Sequence, residues 1–433
     1  MDSTATVAAL AGAEQVRGWQ EDFYRDLHAH PELSHQERRT AADVAERLRA
    51  SGCEVHAGVG GTGVVALLRG GRGGRGPGPT VLLRADMDAL PVREATGLTY
   101  ASTDTAAADD SNGGGVPVMH ACGHDVHVTC LLGAMDLLAR SSGSWGGTVV
   151  AVFQPAEEVA DGARGMVDDG LAELVGDVDV ALCQHVLAFP AGTVGTRPGP
   201  VLSAADSMRI VVHGRGAHGS MPQAAIDPVV LAAQIVVRLQ TIVSREVRPG
   251  EPAVLTVGSL QAGTASNVIP DFATIQLNVR TYSQETRTLV LSSIRRMVTA
   301  ECDASGSPKP PEFELFDQFP VTDNDPAATQ RVAAAFAEHF GDRAGTLPLQ
   351  TASEDFSDIP TALGVPYTYW GIGGIDADTY RRAEAAGRVA QDIPVNHSAL
   401  FAPVIQPTLD TGTEALVVAA LAWLAPAEPP SPH

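Results

Sequence analysis

The sequence predicts an α/β fold that a smaller α+β domain interrupts. Short runs rich in Val, Leu and Ala alternate with segments whose apolar residues recur at helical spacing, which is typical of a sheet covered by helices. Near Pro198-Gly199-Pro200 the alternation gives way to the order β-α-β-β-α-β, and beyond Pro320 it resumes. That inserted order is ferredoxin-like, a split βαβ sandwich. We therefore predict one discontinuous domain, residues 1–200 and 320–433, and one inserted domain, residues 201–319.

Helices and strands alternate through the first 200 residues. Pro31 disfavours helix at His30. Two glycine-rich segments, Gly58–Gly63 and Gly71–Gly76, match the pattern G-x-G-x-x-G, but strands follow them, so we predict turns rather than dinucleotide sites. Residues 103–115, rich in Ala, Asp and Gly, form a predicted surface loop. The predicted elements are a helix ending near Leu27, a helix over His35–Ser51, strands over Glu54–Ala57, Gly63–Arg69 and Thr80–Ala85, a helix over Val128–Ala139, and strands over Thr148–Phe153 and Val178–Cys183.

The same periodicities define the rest of the chain. The predicted elements of the inserted domain are strand Ser207–His213, helix Ile226–Ser244, strands Ala253–Leu260 and Thr274–Arg280, helix Glu285–Ala300 and strand Glu312–Phe316. Beyond them we predict helix Ala327–Phe340, strand Tyr367–Gly371 and a closing helix over Thr408–Leu424.

Composition favours a globular, enzyme-sized protein. With 433 residues and 44% hydrophobic content, the chain suffices for two or three domains. A formal net charge of -22 provides no basic surface, which argues against nucleic-acid and membrane partners. Five scattered cysteines argue against a disulfide framework and for a reducing compartment. The N-terminus lacks the basic start of a secretory signal, and the apolar run Ala415–Ala425 is too short to span a membrane, so we predict a cytoplasmic location.

The stretch Met119–His127 concentrates side chains that bind metals. It holds one thiol, three imidazoles and one carboxylate within nine residues. Cys and His are ligands of zinc and its first-row neighbours, and Cys122 and His124, two residues apart, can converge on one point from a loop. A polar loop with solvated histidines is the simpler alternative. Further donors downstream favour the metal.

Those further donors come after predicted strands and near the C-terminus. Glu157 and Glu158 follow a buried strand, and adjacent carboxylates ionise together in a dry pocket only if a positive charge compensates them. One can bind a metal while its neighbour acts as general base. An acidic turn and ordinary core histidines are the simpler explanations. The candidate metal ligands are Cys122, His124, Glu158, His185 and His397. Five ligands exceed one tetrahedral zinc, so we predict two ions that share the Cys122 thiolate.

Several motifs occur in one order along nearly the whole chain. They are Arg84–Pro91, Met119–Asp125, Gln154–Glu158, Gly216–Pro222, Asn267–Pro270, Ser353–Phe356 and Asn396-His397. Together they resemble the N-acyl-amino-acid amidohydrolases, a metallopeptidase-related family that includes hippurate hydrolase and the plant indole-acetyl-amino-acid hydrolases. The Cys-Gly-His-Asp motif and the adjacent glutamates are its most specific features.

The resemblance implies a mixed-sheet catalytic domain with a dinuclear site made of the five candidate ligands, and Glu157 as the general base. The two divalent ions per subunit are expected to be zinc or manganese, with cobalt and nickel also compatible. The resemblance further implies that the inserted domain is a lid that pairs two subunits into a homodimer, and that His218 reaches the substrate. In the wider family a histidine ligand stands where Asp86 falls, so His124 is expected to supply that imidazole, while Asp88 supports the ligands from behind.

The expected reaction is hydrolysis of the amide bond of an N-acyl amino acid, with an acetyl, benzoyl or longer acyl group, by metal-activated water. Glu157 moves the proton, and His218 helps to stabilise the oxyanion. The free carboxylate of this small-molecule substrate needs a cation or an amide donor, for which Asn267 and Arg280 are the candidates. A polar strand residue and a solvated arginine are the simpler explanations of these two.

Three other functions are compatible with the same residues. A dipeptidase or carboxypeptidase would use the same metal site on a different substrate. A non-catalytic metal-binding or assembly protein would not need Glu157. An enzyme with Cys122 as nucleophile would survive chelators and lose activity on alkylation.

Overall fold

The computed structural model describes residues 3–71, 78–106 and 115–424. Within them the chain forms two compact units, one belonging to Met1–Val201, Asp323–Pro348 and Asp355–His433 and the other to Leu202–Thr322 and Leu349–Glu354. Most of the predicted loop 103–115 and of the predicted turn Gly71–Gly76 lies outside the described residues. The predicted turn Gly58–Gly63 joins two antiparallel strands, and three of its glycines have positive φ.

The helices and strands have the following bounds. The α-helices are α1 Ser3–Leu10, α2 Ala13–Ala29, α3 Arg38–Ala50, α4 His124–Arg140, α5 Gly162–Asp168, α6 Leu171–Val175, α7 Pro228–Arg245, α8 Gln284–Ala304, α9 Pro326–Phe340, α10 Asp358–Leu363, α11 Ala377–Ala385, α12 Val389–Asp392 and α13 Ile405–Leu424. The strands are β1 Glu54–Val59, β2 Gly63–Gly71, β3 Thr80–Asp86, β4 Thr105–Ala106, β5 Val116–Pro117, β6 Gly146–Gln154, β7 Val180–Pro190, β8 Val194–Thr196, β9 Gly199–Leu202, β10 Ala204–His213, β11 Ala217–His218, β12 Ala253–Ala262, β13 Val268–Ile269, β14 Phe272–Thr281, β15 Glu312–Phe319, β16 Thr322–Asn324, β17 Ala344–Thr346 and β18 Tyr367–Ile375.

The first unit is built on an eight-stranded sheet of order β1-β2-β6-β3-β7-β18-β8-β17. Strands β6, β3, β7 and β18 run parallel at its centre, whereas β2 pairs antiparallel with β6 and β8 pairs antiparallel with β18. The central strands are rich in Val, Leu and Ala and are buried over most of their length, as in sheets covered on both faces. Helices α4 and α13 contact β3 and β7. The predicted α/β class with a mixed sheet is confirmed.

The second unit is a four-stranded antiparallel sheet of order β12-β14-β10-β15 with helices α7 and α8. Alternate residues of β14 are buried, as expected for a sheet with helices on one face. Asp227 and Ser283 cap the two helices, because their side chains accept hydrogen bonds from backbone N–H groups of the first turn. Along the chain the elements run β10, α7, β12, β14, α8, β15, with two short strands between.

Helix α7 is long and apolar enough, by length and composition alone, to cross a membrane. Its buried residues include Leu231, Ile235, Leu239 and Ile242, which pack into the core of the second unit. This spacing is that of an amphipathic helix on a sheet. Helix α7 therefore does not indicate a membrane protein.

Three element boundaries differ from those that the sequence predicts. Helix α4 begins at His124 rather than Val128, so His124 is helical and not in a loop. Strand β7 continues to Pro190 because β18 pairs with it along this length, so His185 lies inside a strand. Helix α3 begins at Arg38 rather than His35, whose φ of 63° is left-handed.

Candidate metal centre

The site lies at one edge of the large sheet, where three parallel strands end. Register pairs Asp86 of β3 with Gln154 of β6, and Arg84 of β3 with Cys183 of β7. The segments that follow these strands therefore meet, because carboxyl ends of parallel strands share one edge. The segments after β3 and β6 carry Asp88 and the two glutamates, and His185 lies within β7.

The start of helix α4 brings Cys122 and His124 to this edge. Gly123 has a φ of 86°, and a Cβ there would lie 2.4 Å from Val186 Cγ1, so only glycine lets the helix start pack against β7. His124 is fully buried, and its Nδ1 donates to the carbonyl oxygen of Asp88 at 2.9 Å. Its Nε2 therefore faces the other carboxylates, 3.6 Å from Asp86 Oδ2.

The turn after β6 adds Glu157 and Glu158, which lie in a 3-10 helix over Glu157–Val159. Glu157 Oε2 and Glu158 Oε1 each lie 3.9 Å from His124 Nε2. Ligand atoms of Cys122, His124 and Glu158 all lie within 4.8 Å of one another. Residues from two separate segments thus form a compact group of sulfur, nitrogen and oxygen donors.

His185 and His397 complete the group. Nδ1 of His185 donates to the carbonyl oxygen of Val186 at 2.7 Å, which leaves Nε2 3.5 Å from the sulfur of Cys122. His397 has a left-handed φ of 69°, and its amide donates to the carbonyl oxygen of Ala121 at 2.8 Å. Its Nε2 lies 3.4 Å from Glu158 Oε1. The structure therefore brings together all five candidate ligands and Glu157.

This group fits a divalent metal. His124 Nε2 and Glu158 Oε1 are buried, and neither makes a hydrogen bond of normal geometry with any residue in the described ranges. Orphaned buried polar atoms are costly unless a ligand or water satisfies them. Thiolate, imidazole and carboxylate are the donors that zinc and its neighbours bind.

The electrostatics of the group also favour a cation. The Cys122 sulfur and the Glu158 carboxylate raise the pKa of His397 to about 10. Burial lowers the pKa of His124, but the charges of Asp86 and Cys122 outweigh burial and raise that pKa well above its usual value. Burial holds the pKa of His185 well below its usual range, which keeps this imidazole neutral and its Nε2 able to bind a metal.

His127 and Asp86 lie in the same cluster but serve as supports. Nδ1 of His127 lies 2.5 Å from Asp86 Oδ1, and its Nε2 accepts a hydrogen bond from the Val186 amide at 2.8 Å. Both ring nitrogens are therefore engaged. Asp86 Oδ2 accepts from the buried guanidinium of Arg84 at 2.6 Å. No sequence pattern indicated this arrangement of His127, because only its hydrogen bonds distinguish it from a ligand.

Asp88 contacts two of the candidate ligand residues, His124 and Glu158. Its Oδ1 is 3.3 Å from His124 Nδ1, and its Oδ2 accepts hydrogen bonds from Ser34 Oγ at 2.7 Å and from the Glu158 amide at 3.0 Å. Asn396, to which the sequence assigned no role, donates from Nδ2 to the carbonyl oxygens of Cys122 and Val186, both at 3.1 Å. In the sequence, only its position next to His397 connects Asn396 with the site.

The other predicted residues, His218, Asn267 and Arg280, lie in the second unit. His218 is exposed on β11, with Nδ1 2.7 Å from Ser220 Oγ. The neighbouring Gly219 amide donates to the carbonyl oxygen of Asn267 at 2.7 Å, so His218 and Asn267 are close together. Arg280 is half-buried, and burial lowers its pKa. It donates to Asn278 Oδ1 and to Ser353 Oγ, which are both uncharged.

The chain is similar to known proteins over most of its length. The model of peptidase family M20/M25/M40 matches residues 82–390. Thermostable carboxypeptidase 1 of Saccharolobus solfataricus is 36% identical over 363 residues, covering 83% of this chain and 86% of the relative. N-acetyl-L-cysteine deacetylase of Bacillus subtilis is 37% identical over 351 residues, covering 81% of this chain and 79% of the relative.

A solved structure is similar throughout. The crystal structure of a dinuclear metal-binding M20 peptidase from Bacillus subtilis has a TM-score of 0.75 and 29% identity, covering 94% of this chain and 98% of its own. The predicted resemblance to N-acyl-amino-acid amidohydrolases is thereby confirmed, and the alternative of a non-catalytic protein is wrong. The chain belongs to peptidase family M20/M25/M40, and it is a metal-dependent amidohydrolase.

Proposed function

We propose that this enzyme hydrolyses the amide bond of N-acyl amino acids. The observation that carries the proposal is the convergence of five donors from separate segments, with Glu157 beside them, around the buried and unsatisfied His124 Nε2 and Glu158 Oε1. The N-acetyl-L-cysteine deacetylase relative supports this substrate class.

The five donors would hold two divalent ions, for which zinc and manganese are the first candidates. Cys122 is the donor best suited to be shared, since its sulfur lies 3.5 Å from His185 Nε2 and also influences His397. Divalent ions at this position polarise a carbonyl group and lower the pKa of water towards neutrality. His124, Glu158, His185 and His397 supply the remaining donors.

Glu157 would act as general base and then as general acid. It is nearly buried, and its Oε2 lies 3.9 Å from His124 Nε2, among the proposed ligands. Its carboxylate accepts the proton of the attacking water and returns it to the leaving amine, so that one group performs both transfers. Asp88 and Asn396 hold the ligand-bearing segments in place.

The inserted domain predicted for residues 201–319 would act as a ferredoxin-like lid that also pairs subunits into a homodimer. His218 would stabilise the oxyanion, since its exposed imidazole is available as a donor. Arg280 would bind the free carboxylate of the substrate, because its half-buried guanidinium contacts uncharged partners. Asn267, next to His218, would add an amide donor. The buried, free cysteines support a reducing, cytoplasmic setting.

Carboxypeptidase or dipeptidase activity is the second candidate, favoured by the thermostable carboxypeptidase relative. Both activities need the same metal chemistry and differ in the group that occupies the acyl side. We expect purified enzyme, reconstituted separately with Zn²⁺ and Mn²⁺, to hydrolyse N-acetyl and N-benzoyl amino acids faster than unblocked dipeptides, and to lose activity with a chelator. Faster cleavage of unblocked dipeptides would assign the second function instead.

A further inference from the structure

The segment Ser34–Glu37, between α2 and α3, contacts the loop that carries Glu157 and Glu158. This loop runs from Pro155 to Gly162 and is tightly closed. The Gly162 amide donates to the carbonyl oxygen of Ala156 at 3.2 Å, and a Cβ on Gly162 would lie 1.7 Å from the carbonyl oxygen of Pro155. The two functional glutamates therefore sit on a backbone with little freedom of its own.

Ala156 is the strained residue of this loop. It is buried, with φ 51° and ψ 40°, a left-handed conformation that is unfavourable for a non-glycine residue because its Cβ crowds the backbone. Such a conformation persists only where the surroundings hold it. The Ala156 amide donates to Glu37 Oε1 at 2.9 Å, which fixes the Pro155–Ala156 peptide, one peptide before that of Glu157.

The Glu37 carboxylate is buried and accepts several hydrogen bonds. Its side chain is fully buried, and besides the Ala156 amide it accepts hydrogen bonds from the His35 amide at 3.0 Å and from Thr62 Oγ1 at 2.6 Å. These three donors offset the cost of burying a carboxylate. A residue needed only to begin helix α3 would not have to reach across to Ala156.

Two neighbours of Glu37 are also linked to this loop, Ser34 through Asp88 and His35 directly. Ser34 Oγ donates to Asp88 Oδ2, the atom that also accepts from the Glu158 amide. His35 Nε2 lies 2.9 Å from Asp161 Oδ1. The segment therefore holds the loop at its start, at Glu158 and near its end.

We propose that Glu37 is a positioning residue for amide hydrolysis, acting through the Ala156 amide to set the orientation of Glu157 and Glu158. The inference rests on the proposed function for the roles of those two glutamates. Removing a group that orients a ligand typically weakens metal binding by ~10- to 100-fold. Glu37 does not contact the proposed ions or the substrate in this assignment.

The test compares Glu37→Ala with Glu32→Ala in the full-length chain. Glu32 is a matched control, because its carboxylate also accepts two backbone N–H groups, those of Arg39 and Thr40, but these belong to helix α3. Metal-free protein is titrated with Mn²⁺ by isothermal titration calorimetry. We expect ~10- to 100-fold weaker Mn²⁺ binding for Glu37→Ala, and wild-type binding for Glu32→Ala even if both variants melt at lower temperature.

The conservative variant separates positioning from charge. Glu37→Gln keeps an oxygen that accepts from the Ala156 amide, so we expect its Mn²⁺ affinity to lie within a few-fold of wild type. If Glu37→Ala does not fold, Glu37→Asp replaces it, because the shorter carboxylate no longer reaches Ala156 and should weaken Mn²⁺ binding in the same direction. In an active enzyme Glu37→Ala and Glu37→Asp should lower kcat while leaving KM nearly unchanged, and Glu37→Gln should keep a kcat close to that of wild type.

Two results would overturn the proposal: wild-type Mn²⁺ affinity in the variant that no longer reaches Ala156, or an equal loss in Glu32→Ala. The affinity measurement does not depend on the substrate. If wild-type enzyme hydrolysed no N-acyl amino acid, the proposed function would fail while the order of Mn²⁺ affinities could still be read.

Discussion

At the scale of residues, hydrogen bonds decide which imidazoles are available to a metal. His124, His127 and His185 lie together, yet His127 differs in that both of its ring nitrogens bond groups outside the candidate ligand set, Asp86 and the Val186 amide. In His124 and His185, Nδ1 donates to a backbone carbonyl oxygen, and Nε2 faces the site. Fixing one ring nitrogen in this way sets the tautomer and the ring orientation. A histidine's role here is thus a property of its partners.

Glu157→Gln tests the general base at nearly constant volume. We expect kcat to fall by ~10²- to 10⁴-fold, because glutamine cannot accept and return the proton. Metal content, measured by mass spectrometry of the protein, should stay at the wild-type level, since Glu157 is not among the five proposed ligands. Glu173→Gln, on the exposed surface of α6, is the control and should keep wild-type kcat. Normal turnover by Glu157→Gln would remove Glu157 from this role.

At the scale of elements, a buried charged triad ties helix α2 to the helix that starts the site. His28 of α2 lies 2.6 Å from Asp125 of α4 and 3.1 Å from Glu94, and all three side chains are fully buried. Burial lowers the pKa of His28, but hydrogen bonds to Asp125 and Glu94 outweigh burial and raise that pKa to about 10. A protonated His28 therefore holds two elements together from inside the core.

This triad predicts a stability that falls at alkaline pH. The pKa of His28 is about 10 when folded and 6.5 when unfolded, so its contribution is complete below pH 6.5 and is lost as pH rises through 10. We expect the free energy of unfolding of wild type to fall by roughly 1 kcal/mol per pH unit between pH 7 and pH 10 relative to His28→Gln. Urea denaturation at several pH values measures this difference. Parallel profiles for the two proteins would contradict it.

Element type followed from the sequence more readily than element length. Apolar runs and helical spacing identify β7 and α4, because both patterns are local. The extension of β7 past His185 depends on pairing with β18, residues 367–375, which comes much later in the chain. The start of α4 at His124 depends on Gly123 packing against Val186. Both boundaries depend on contacts between distant residues, which periodicity does not encode.

At the scale of the whole molecule, the site joins the N-terminal and C-terminal parts of the first unit. Its donors come from the start of α4, the turn after β6, strand β7 and the segment before α13. A metal that binds only the folded arrangement stabilises the fold by mass action. The melting temperature of the protein is therefore a readout of the complete site.

Mn²⁺ should accordingly stabilise the folded chain. At a free Mn²⁺ concentration of one hundred times Kd, the expected gain in unfolding free energy is about 2.7 kcal/mol, and a chelator should reverse it. Differential scanning fluorimetry gives the shift in Tm. Cys122→Ala should reduce the shift, whereas Cys302→Ala, at a buried free cysteine of the second unit, should retain it. Equal shifts in the two variants would argue against Cys122 as a ligand.

The sequence alone determined the α/β class and identified the candidate ligands Cys122, His124, Glu158, His185 and His397 and the candidate base Glu157, because residue type and local order carry that information. Only the tertiary structure decided that His127 is a support, that Asn396 joins two ligand-bearing segments, and that Glu37 reaches Ala156. These roles arise from contacts between segments far apart in the chain. A hydrogen bond depends on distance and direction in space, which residue order does not specify.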